Sequence, residues 1–220
     1  LNNARSVRQN IVPGESIAAK WDERGPNNVG GRTKGAMFDP NDTTDETVFS
    51  AGISGGLFKN TKISDPNSQW IKIEGIPENL PVTAITHDPN NKQIFYIGSG
   101  EEYTNQGVGN GLWQSKDGGA TWAKIFGGRD GQAGIPFIND VIVRNNSGTS
   151  EVYFVSSFSW NWDTGDWLGV SDYGLYRSVD EGQNFTKIDV KIVGGSRQHQ
   201  GMDLEIAPNN KIWMCTTNRG

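Results

Sequence analysis

One segment of the sequence, residues 157–172, combines residue types that suit ligand binding. It contains Trp160, Trp162 and Trp167 within eight residues, with Asp163 beside the second tryptophan. Indole rings stack on the C–H faces of sugars, and carboxylates accept hydrogen bonds from sugar hydroxyls. The segment therefore predicts a binding surface for a glycan or a protein partner. The alternative is that the tryptophans pack on one another and only order a long loop.

A second candidate group is the run Glu101, Glu102 and Tyr103, which follows an apolar segment. Adjacent carboxylates in a loop are more typical of solvated side chains than of catalytic groups. Two further connections, residues 127–137 and 191–201, contribute additional candidates for ligand binding: Arg129, Asp130 and His199.

Metal and cofactor sites are not expected. A single cysteine and two histidines do not provide a Cys/His zinc site. The acidic stretches 42–46 and 163–166 lack the regular oxygen-ligand spacing of a calcium loop, which favours solvated turns. Cys215 lies within an apolar run and is expected to be a buried, inert thiol.

The composition indicates which elements position these residues. The chain has 220 residues, and Ile plus Val outnumber Leu plus Ala by 32 to 17. Together with 29 glycines, this favours an all-β domain over a helical bundle, a coiled coil or a doubly wound α/β sheet. The 20 basic residues are fewer than the 25 acidic ones and form no cluster, which argues against nucleic acid as a partner. No apolar run approaches the ~20 residues of a membrane-spanning helix.

Three short units recur in the same order along the chain. The first is a strand-like run that closes on a turn, at residues 36–41, 84–90, 141–146 and 204–209, and each copy is followed by another apolar run. The second is Gly-Leu-aromatic, at residues 56–58, 111–113 and 174–176.

The third unit is an acidic turn that ends on an aromatic residue. Residues 115–122 and 178–185 both follow the pattern Ser-x-Asp-x-Gly-x-polar-aromatic, and a degenerate copy ends at Trp70. In such a turn the aspartate accepts backbone N–H groups, the glycine adopts a positive φ, and the aromatic begins the next strand. The predicted structural residues are Asp65, Asp117, Gly119, Trp122, Asp180, Gly182 and Phe185.

These turns match the Asp-box, or BNR repeat, and the chain resembles the Asp-box β-propellers. Relatives in that group include sialidases, xyloglucanase-type glycoside hydrolases and sortilin-type receptors. The stretch 21–33 is similar to the start of the first blade in secreted Bacteroidetes propellers, which are often cargo of the type IX secretion system. The resemblance implies a bacterial protein that is extracellular or at the cell surface, with the secretion machinery as a possible partner.

The fold predicted from the repeats and the resemblance is an all-β propeller of four-stranded antiparallel blades with Asp-box turns. We expect an N-terminal extension at 1–20 and propeller structure over 21–220, with blades near 33–74, 82–126, 138–190 and, in part, 202–220. Closed propellers have roughly four to eight blades, and this chain accounts for about three and a half. We therefore expect the chain to be the N-terminal part of a longer protein. The long inserts should gather on one face.

No catalytic residue is predicted. Glycosidases use two carboxyl groups, ~5–5.5 Å apart for retention or ~6.5–9.5 Å for inversion. The resemblance to xyloglucanase-type enzymes implies a catalytic aspartate just before a Gly-Gly pair, where this chain has Ile53. The sialidase Arg-Ile-Pro motif is also incomplete, because Gly134 precedes Ile135 and Pro136.

Three hypotheses about function stay open. The first is a binding module for a glycan or protein. The second is a polysaccharide-acting glycoside hydrolase or lyase whose acid and base lie partly outside this chain. The third is a purely structural or secretion-cargo module.

Overall fold

The computed structural model describes residues 32–102, 107–127, 137–161, 165–170, 172–191 and 199–217. Within these ranges the regular structure consists of β-strands. No helix in the described ranges is long and apolar enough to cross a membrane. The predicted extension at 1–20 and the first residues assigned to the propeller lie outside the described residues.

The first two sheets are four-stranded, antiparallel and ordered as the strands occur in the chain. The first contains β1 (Thr33–Phe38), β2 (Val48–Gly52), β3 (Gly56–Asn60) and β4 (Ile71–Lys72). The second contains β5 (Val82–His87), β6 (Phe95–Ser99), β7 (Leu112–Ser115) and β8 (Ala123–Phe126).

The third sheet has the same four-stranded plan with an insertion. Its strands are β9 (Phe137–Asn146), β10 (Thr149–Ser157), β13 (Gly174–Ser178) and β14 (Thr186–Ile188). A separate hairpin of β11 (Ser159–Asn161) and β12 (Asp166–Leu168) is inserted between β10 and β13. A fourth sheet is formed by β15 (Gln200–Ile206) and β16 (Ile212–Thr217).

The first strands of successive sheets, β1, β5, β9 and β15, contact one another in that order. Apolar clusters fill the spaces between neighbouring sheets. Phe49 of the first sheet packs with Phe95 of the second, Tyr96 of the second with Phe154 of the third, and Val155 of the third with Leu204 of the fourth. Sheets that stand side by side around their first strands are the blades of a β-propeller. The predicted fold class is therefore confirmed.

Every first strand carries a β-bulge at the same position in its blade. The register against the second strand shifts at Lys34, Thr83, Asn139 and Met202. Two of these residues join their blade to the next one, since the Thr83 hydroxyl donates to the carbonyl of Ile138 and Asn139 Nδ2 donates to the carbonyl of Gly201 at 2.8 Å. Bulges bend a strand and re-aim its side chains, and here they connect adjacent blades.

The antiparallel order gives the molecule two faces. The turn face carries the connections between strands one and two and between strands three and four of each blade. The insert face carries the connections between strands two and three and between successive blades. The inserts 98–110 and 157–172 thus belong to the insert face.

Asparagine side chains join the blades on the turn face. Asn41 Nδ2 donates to the carbonyl of Lys92 at 2.7 Å, and Asn90 Nδ2 donates to Ser150 Oγ at 2.9 Å. Asn210 Nδ2 donates in the same way to the carbonyl of Asn145 at 3.0 Å. Each of these bonds links a blade to its neighbour.

Cys215 is exposed, so the prediction of a buried thiol is wrong. Side chains alternate along β16, and Met214 packs against the third blade. Cys215 therefore points to the opposite face of this two-stranded sheet, which no described residue covers.

Candidate functional site

Glu101 and Glu102 lie on the insert face directly after β6, but they are buried, with 1% of each side chain exposed. The expectation of solvated carboxylates is therefore wrong. The backbone N–H of Glu101 donates to the carbonyl of Gly107 at 2.7 Å, which closes the base of the insert. The carboxylate of Glu101 forms an ion pair with the guanidinium of Arg32, at the start of the first blade. The two glutamates are thus buried at the base of the insert, where Glu101 also contacts the first blade.

The inserts of the second and third blades meet. Ser159 Oγ, on β11, donates to the backbone carbonyl of Glu102 at 2.7 Å. Ser159 is itself buried. The tryptophan-bearing hairpin is therefore anchored to the insert that carries the two glutamates.

Trp160 and Trp167 are direct cross-strand partners in the β11–β12 hairpin. Their rings meet edge to face, with centroids 5.3 Å apart and an interplanar angle of 72°. Phe158 packs against Trp167 at 5.4 Å and against Tyr173 at 4.9 Å. The aromatic residues do pack on one another, yet Trp167 remains 56% exposed. The result is an aromatic surface whose rings are held in place by their neighbours.

A cavity of about 500 Å³ lies on the same face, beside the first insert. One wall is the connection between the first two blades and the other is the end of the 98–110 insert. Its lining residues are Pro77, Asn79, Leu80, Pro81, Val108, Gly109 and Asn110. The mixture of apolar walls and two asparagine amides suits a polar ligand that also has apolar surfaces.

His199, another candidate, is half-buried just before β15, where its backbone N–H donates to the carbonyl of Val190 at 2.9 Å. The remaining candidates lie outside the described residues: Tyr103, Arg129, Asp130, Trp162 and Asp163.

Sequence inspection missed a carboxylate pair between the third and fourth blades. Asp140 on β9 lies against Asp203 on β15, and its Oδ2 accepts the backbone N–H of Leu204 at 2.8 Å. Burial raises the pKa of Asp140 to about 7, and contact with Asp203 adds to this, although the N–H groups of Leu204 and Val141 act against it. A carboxyl group with a pKa near neutrality can donate a proton at physiological pH.

An internal alignment of the blades would have drawn attention to this pair. Asp140 and Asp203 each follow the bulge of their strand, at the position that Gly35 and Ala84 occupy in the first two blades. The change from small residues to carboxylates is visible in the sequence. Their mutual contact depends on how blades three and four pack.

The two regular acidic turns have closely similar hydrogen bonds. Ser115 Oγ accepts the backbone N–H of Gly119 at 2.8 Å and donates to Asp117 at the same distance. Asp117 accepts the hydroxyl and N–H of Thr121, which lower its pKa to about 2. The other turn has equivalent bonds among Ser178, Asp180, Gly182 and Asn184.

The aromatic residues that end these turns are packed. Trp122 is 8% exposed and joins the cluster between the first two blades. Phe185 packs against the cluster between the second and third blades.

The degenerate turn of the first blade is organised differently. Asn60 occupies the strand end that corresponds to Ser115, and its Oδ1 accepts the N–H of Lys62 at 2.8 Å. Among the described residues of this turn, the carboxylate of Asp65 accepts the N–H of Asn67 alone, at 2.9 Å. The reason is loop length, because three more residues separate Asn60 from Trp70 than separate Ser115 from Trp122.

The acidic stretch 42–46 is used for local hydrogen bonds. Asp42 accepts backbone N–H groups of Thr44 and Thr47, and Glu46 accepts the hydroxyl of Ser64. No group of three or more potential metal ligands among His, Cys, Asp and Glu occurs in the described part of the chain.

The class of protein defined by these features is an all-β propeller with an insert-bearing face. No protein-family model matches the sequence, and no curated protein matches it. Among solved structures, an ancestral GH74 enzyme is similar, with a TM-score of 0.60 and 16% sequence identity. The similarity covers 83% of this chain but 22% of the enzyme, so the chain spans less than a quarter of that protein's length.

A GH74 xyloglucanase from Xanthomonas campestris also aligns, at 15% identity and a TM-score of 0.39, over 73% of this chain and 30% of the enzyme. At such identities the likeness to the ancestral GH74 enzyme concerns the fold.

Proposed function

We propose that the insert face is a binding surface for a glycan, within a larger secreted protein. The observation that carries this proposal is the exposed ring of Trp167, held by Trp160 and Phe158 on a two-stranded hairpin. A ring fixed before binding loses little conformational freedom when it stacks on a sugar. A protein partner that inserts an apolar side chain is the alternative occupant of the same surface.

The first insert supports this surface from one side. It contacts the hairpin through Ser159 and Glu102, and its residues 108–110 form a wall of the cavity. An extended glycan could therefore contact the tryptophans at one position and the asparagine amides of the cavity at another. Arg129, Asp130, Tyr103, Trp162, Asp163 and His199 belong to this proposal as further candidate contacts.

An enzyme is the second candidate, and two observations favour it. The fold is similar to that of an ancestral GH74 enzyme, and Asp140 has a pKa of about 7 beside a second carboxylate. Against it, Ile53, at the position where the resemblance implies a catalytic aspartate, is a buried apolar residue. A glycoside hydrolase or lyase reaction would thus need an acid and a base partly outside this chain.

The turn motif, the cellular location and the secretion route are proposed from the resemblance to Asp-box β-propellers. We infer that the acidic turns are Asp-boxes and that the protein is extracellular or at the cell surface of a bacterium of the Bacteroidetes. In the same proposal it is cargo of the type IX secretion system, with an extension at 1–20 before the propeller at 21–220.

The proposal is tested with the purified full chain on a glycan array, followed by titration of the strongest glycan. Trp167→Ala should weaken binding about 2- to 12-fold, since an aromatic stacking contact contributes about 0.5–1.5 kcal/mol. Trp213→Ala is the matched control, because Trp213 is 66% exposed on β16, away from the hairpin. Equal effects of the two substitutions would contradict the proposed surface.

A parallel assay against a panel of polysaccharides separates the two candidates. Saturable binding without turnover supports the binding module. Sustained turnover that is lost in Asp140→Asn would favour the enzyme.

A further inference from the structure

The second blade contains a buried carboxylate that forms no ion pair with any described residue. Asp88 is 1% exposed, at the turn-face end of β5. Its Oδ1 accepts the backbone N–H of Asn90 at 2.8 Å and the hydroxyl of Ser150 at 2.7 Å. Its Oδ2 is buried and has no hydrogen-bond partner among the residues that the structure describes. A buried ionised carboxylate is costly unless it is paired.

The first blade shows how the same position is neutralised. Asp39 stands in the corresponding Asp-Pro-Asn turn, and its Oδ1 accepts the backbone N–H of Asn41 at 3.0 Å. Its Oδ2 lies 3.6 Å from Nζ of Lys59. That ammonium group also lies 4.9 Å from the ring centroid of Phe49. The first blade thus combines a carboxylate, an ammonium group and an aromatic ring.

The third blade repeats this combination with different residues. Arg177 is the counterpart of Lys59, and Tyr153 is the counterpart of Phe49 in the strand register. The guanidinium groups of Arg177 and Arg144 both pair with Glu151 and lie 5.9 and 5.4 Å from the ring centroid of Tyr153. The acidic residue comes from a different strand, but it again faces a cation over an aromatic ring.

The second blade has the ring and the carboxylate but a neutral residue in place of the cation. Gln114 occupies the position of Lys59 and Arg177, opposite Tyr96. Its Nε2 donates to Tyr96 Oη at 3.0 Å and to the carbonyl of Glu181 at 2.8 Å. Burial raises the pKa of Tyr96, and the carboxylates of Asp88 and Glu181 raise it further, as expected for a region of negative potential.

We propose that the second blade binds a monovalent cation of ammonium size, K⁺ or NH₄⁺, at Oδ2 of Asp88. It takes the place that the Lys59 ammonium group has in the first blade. A single carboxylate balances one positive charge, and no cluster of three acidic or histidine ligands of the kind that a divalent ion prefers occurs in the described part of the molecule. Tyr96, whose pKa is raised by burial and by the charge of Asp88, supplies a neutral hydroxyl group in the same blade. Because Asp88 is bonded to Ser150, the bound cation stabilises the junction of the second and third blades.

The test is thermal unfolding of the full chain in KCl and in choline chloride at equal ionic strength. K⁺ should raise the Tm by about 2–5 °C in a saturable way. Gln114→Lys supplies the missing ammonium group within the chain, so it should raise the Tm without K⁺ and remove the response to K⁺. Asp88→Asn should also remove the response.

Asp39→Asn is the matched control, since it changes the equivalent carboxylate of the first blade and should leave the K⁺ response intact. If Asp88→Asn does not fold, Gln114→Lys still tests the site. Equal Tm values in KCl and choline chloride would overturn the proposal, as would an unchanged K⁺ response in Gln114→Lys. Saturation by Ca²⁺ at much lower concentrations than K⁺ would overturn the monovalent assignment.

Discussion

The two faces of this propeller are built in different ways. On the turn face, Asn41, Asn90 and Asn210 repeat one kind of contact from blade to blade. On the insert face, the Arg32–Glu101 ion pair and the bond between Ser159 and Glu102 each occur once within the described ranges. Repeated contacts follow from the repeated sequence, whereas the single contacts depend on inserts that differ between blades.

This difference indicates a division of tasks. Short turns with many backbone hydrogen bonds stabilise the blades and their junctions. The side chains of long inserts on such a framework can be substituted with little effect on the fold, which leaves them available for binding. Substitutions on the turn face should therefore reduce stability more than substitutions on the insert face, and substitutions at four residues test this.

Glu151→Ala should have the largest effect. Its carboxylate, on the turn face, has 2% side-chain exposure and pairs with Arg144 and Arg177. Its removal leaves two guanidinium groups without their carboxylate, so the free energy of unfolding should fall by about 3 kcal/mol. Urea denaturation at pH 7 measures this, with Glu205→Ala on the exposed side of β15 as the control.

Glu151 should also make the stability of the protein depend on pH under acidic conditions. Burial raises the pKa of Glu151, but hydrogen bonds from Asn146, Arg144, Tyr153 and Arg177 outweigh burial and bring it to about 2. Because the folded-state pKa is depressed, this stabilisation is present above pH ~4.5 and is lost as the pH falls towards 2. A Glu151→Ala protein with the same acid sensitivity as wild type would contradict the prediction.

Asp140 is an exception to this difference between the faces, because it joins two blades near the insert face. Its folded-state pKa is about 7, above the unfolded value of 3.8, so the folded protein binds an extra proton between these values. Stability should therefore decrease by on the order of 3 kcal/mol as the pH rises from about 4 to 7.

Asp140→Asn should flatten the pH dependence in that range and make the protein more stable than wild type at pH 8. Unfolding midpoints at several pH values between 4 and 8 measure this. An unchanged slope in the variant would show that other groups cause the pH dependence.

Ser115→Ala should have a moderate effect. It leaves the buried N–H of Gly119 without its acceptor, at a cost of about 1–2 kcal/mol in the free energy of unfolding. Ser64→Ala is the control, since the Ser64 hydroxyl also bonds a carboxylate but is exposed. Similar losses in the free energy of unfolding for both variants would contradict a larger contribution from the buried hydrogen bond than from the exposed one.

Trp167→Ala should have the smallest effect on stability, about 1 kcal/mol or less, because more than half of the ring is already exposed. The same urea titration measures it. A loss as large as that of Glu151→Ala would indicate that the hairpin is a structural core, and the proposed binding role of the ring would lose its support.

The regular turns show what can be predicted from sequence. Ser115, Asp117 and Thr121 bond within seven residues, so their types and spacing are enough to predict the turn. Glu101 is different: it pairs with Arg32, 69 residues away, and its backbone N–H donates to the carbonyl of Gly107. A local pattern contains no information about such a partner.

The exposure of a side chain could not be predicted from sequence where it depends on a neighbouring blade. The apolar run around Cys215 predicts a strand, but whether the side chain is buried depends on what packs against each side of that strand. The contact between Asp140 and Asp203 could not be predicted, because their equivalent positions in two repeats, 63 residues apart, do not show that the two side chains meet when β9 and β15 pack together.

The all-β class, the order of four strands per blade and the regular acidic turns could be predicted from the amino-acid sequence, because they depend on hydrogen bonds and side-chain alternation over a few residues. The folded chain was needed to show which carboxylates are buried, which of them face a cation, and that the tryptophan hairpin contacts the neighbouring insert. Those properties arise from contacts between blades, where desolvation and charge pairing depend on residues that are distant in the chain.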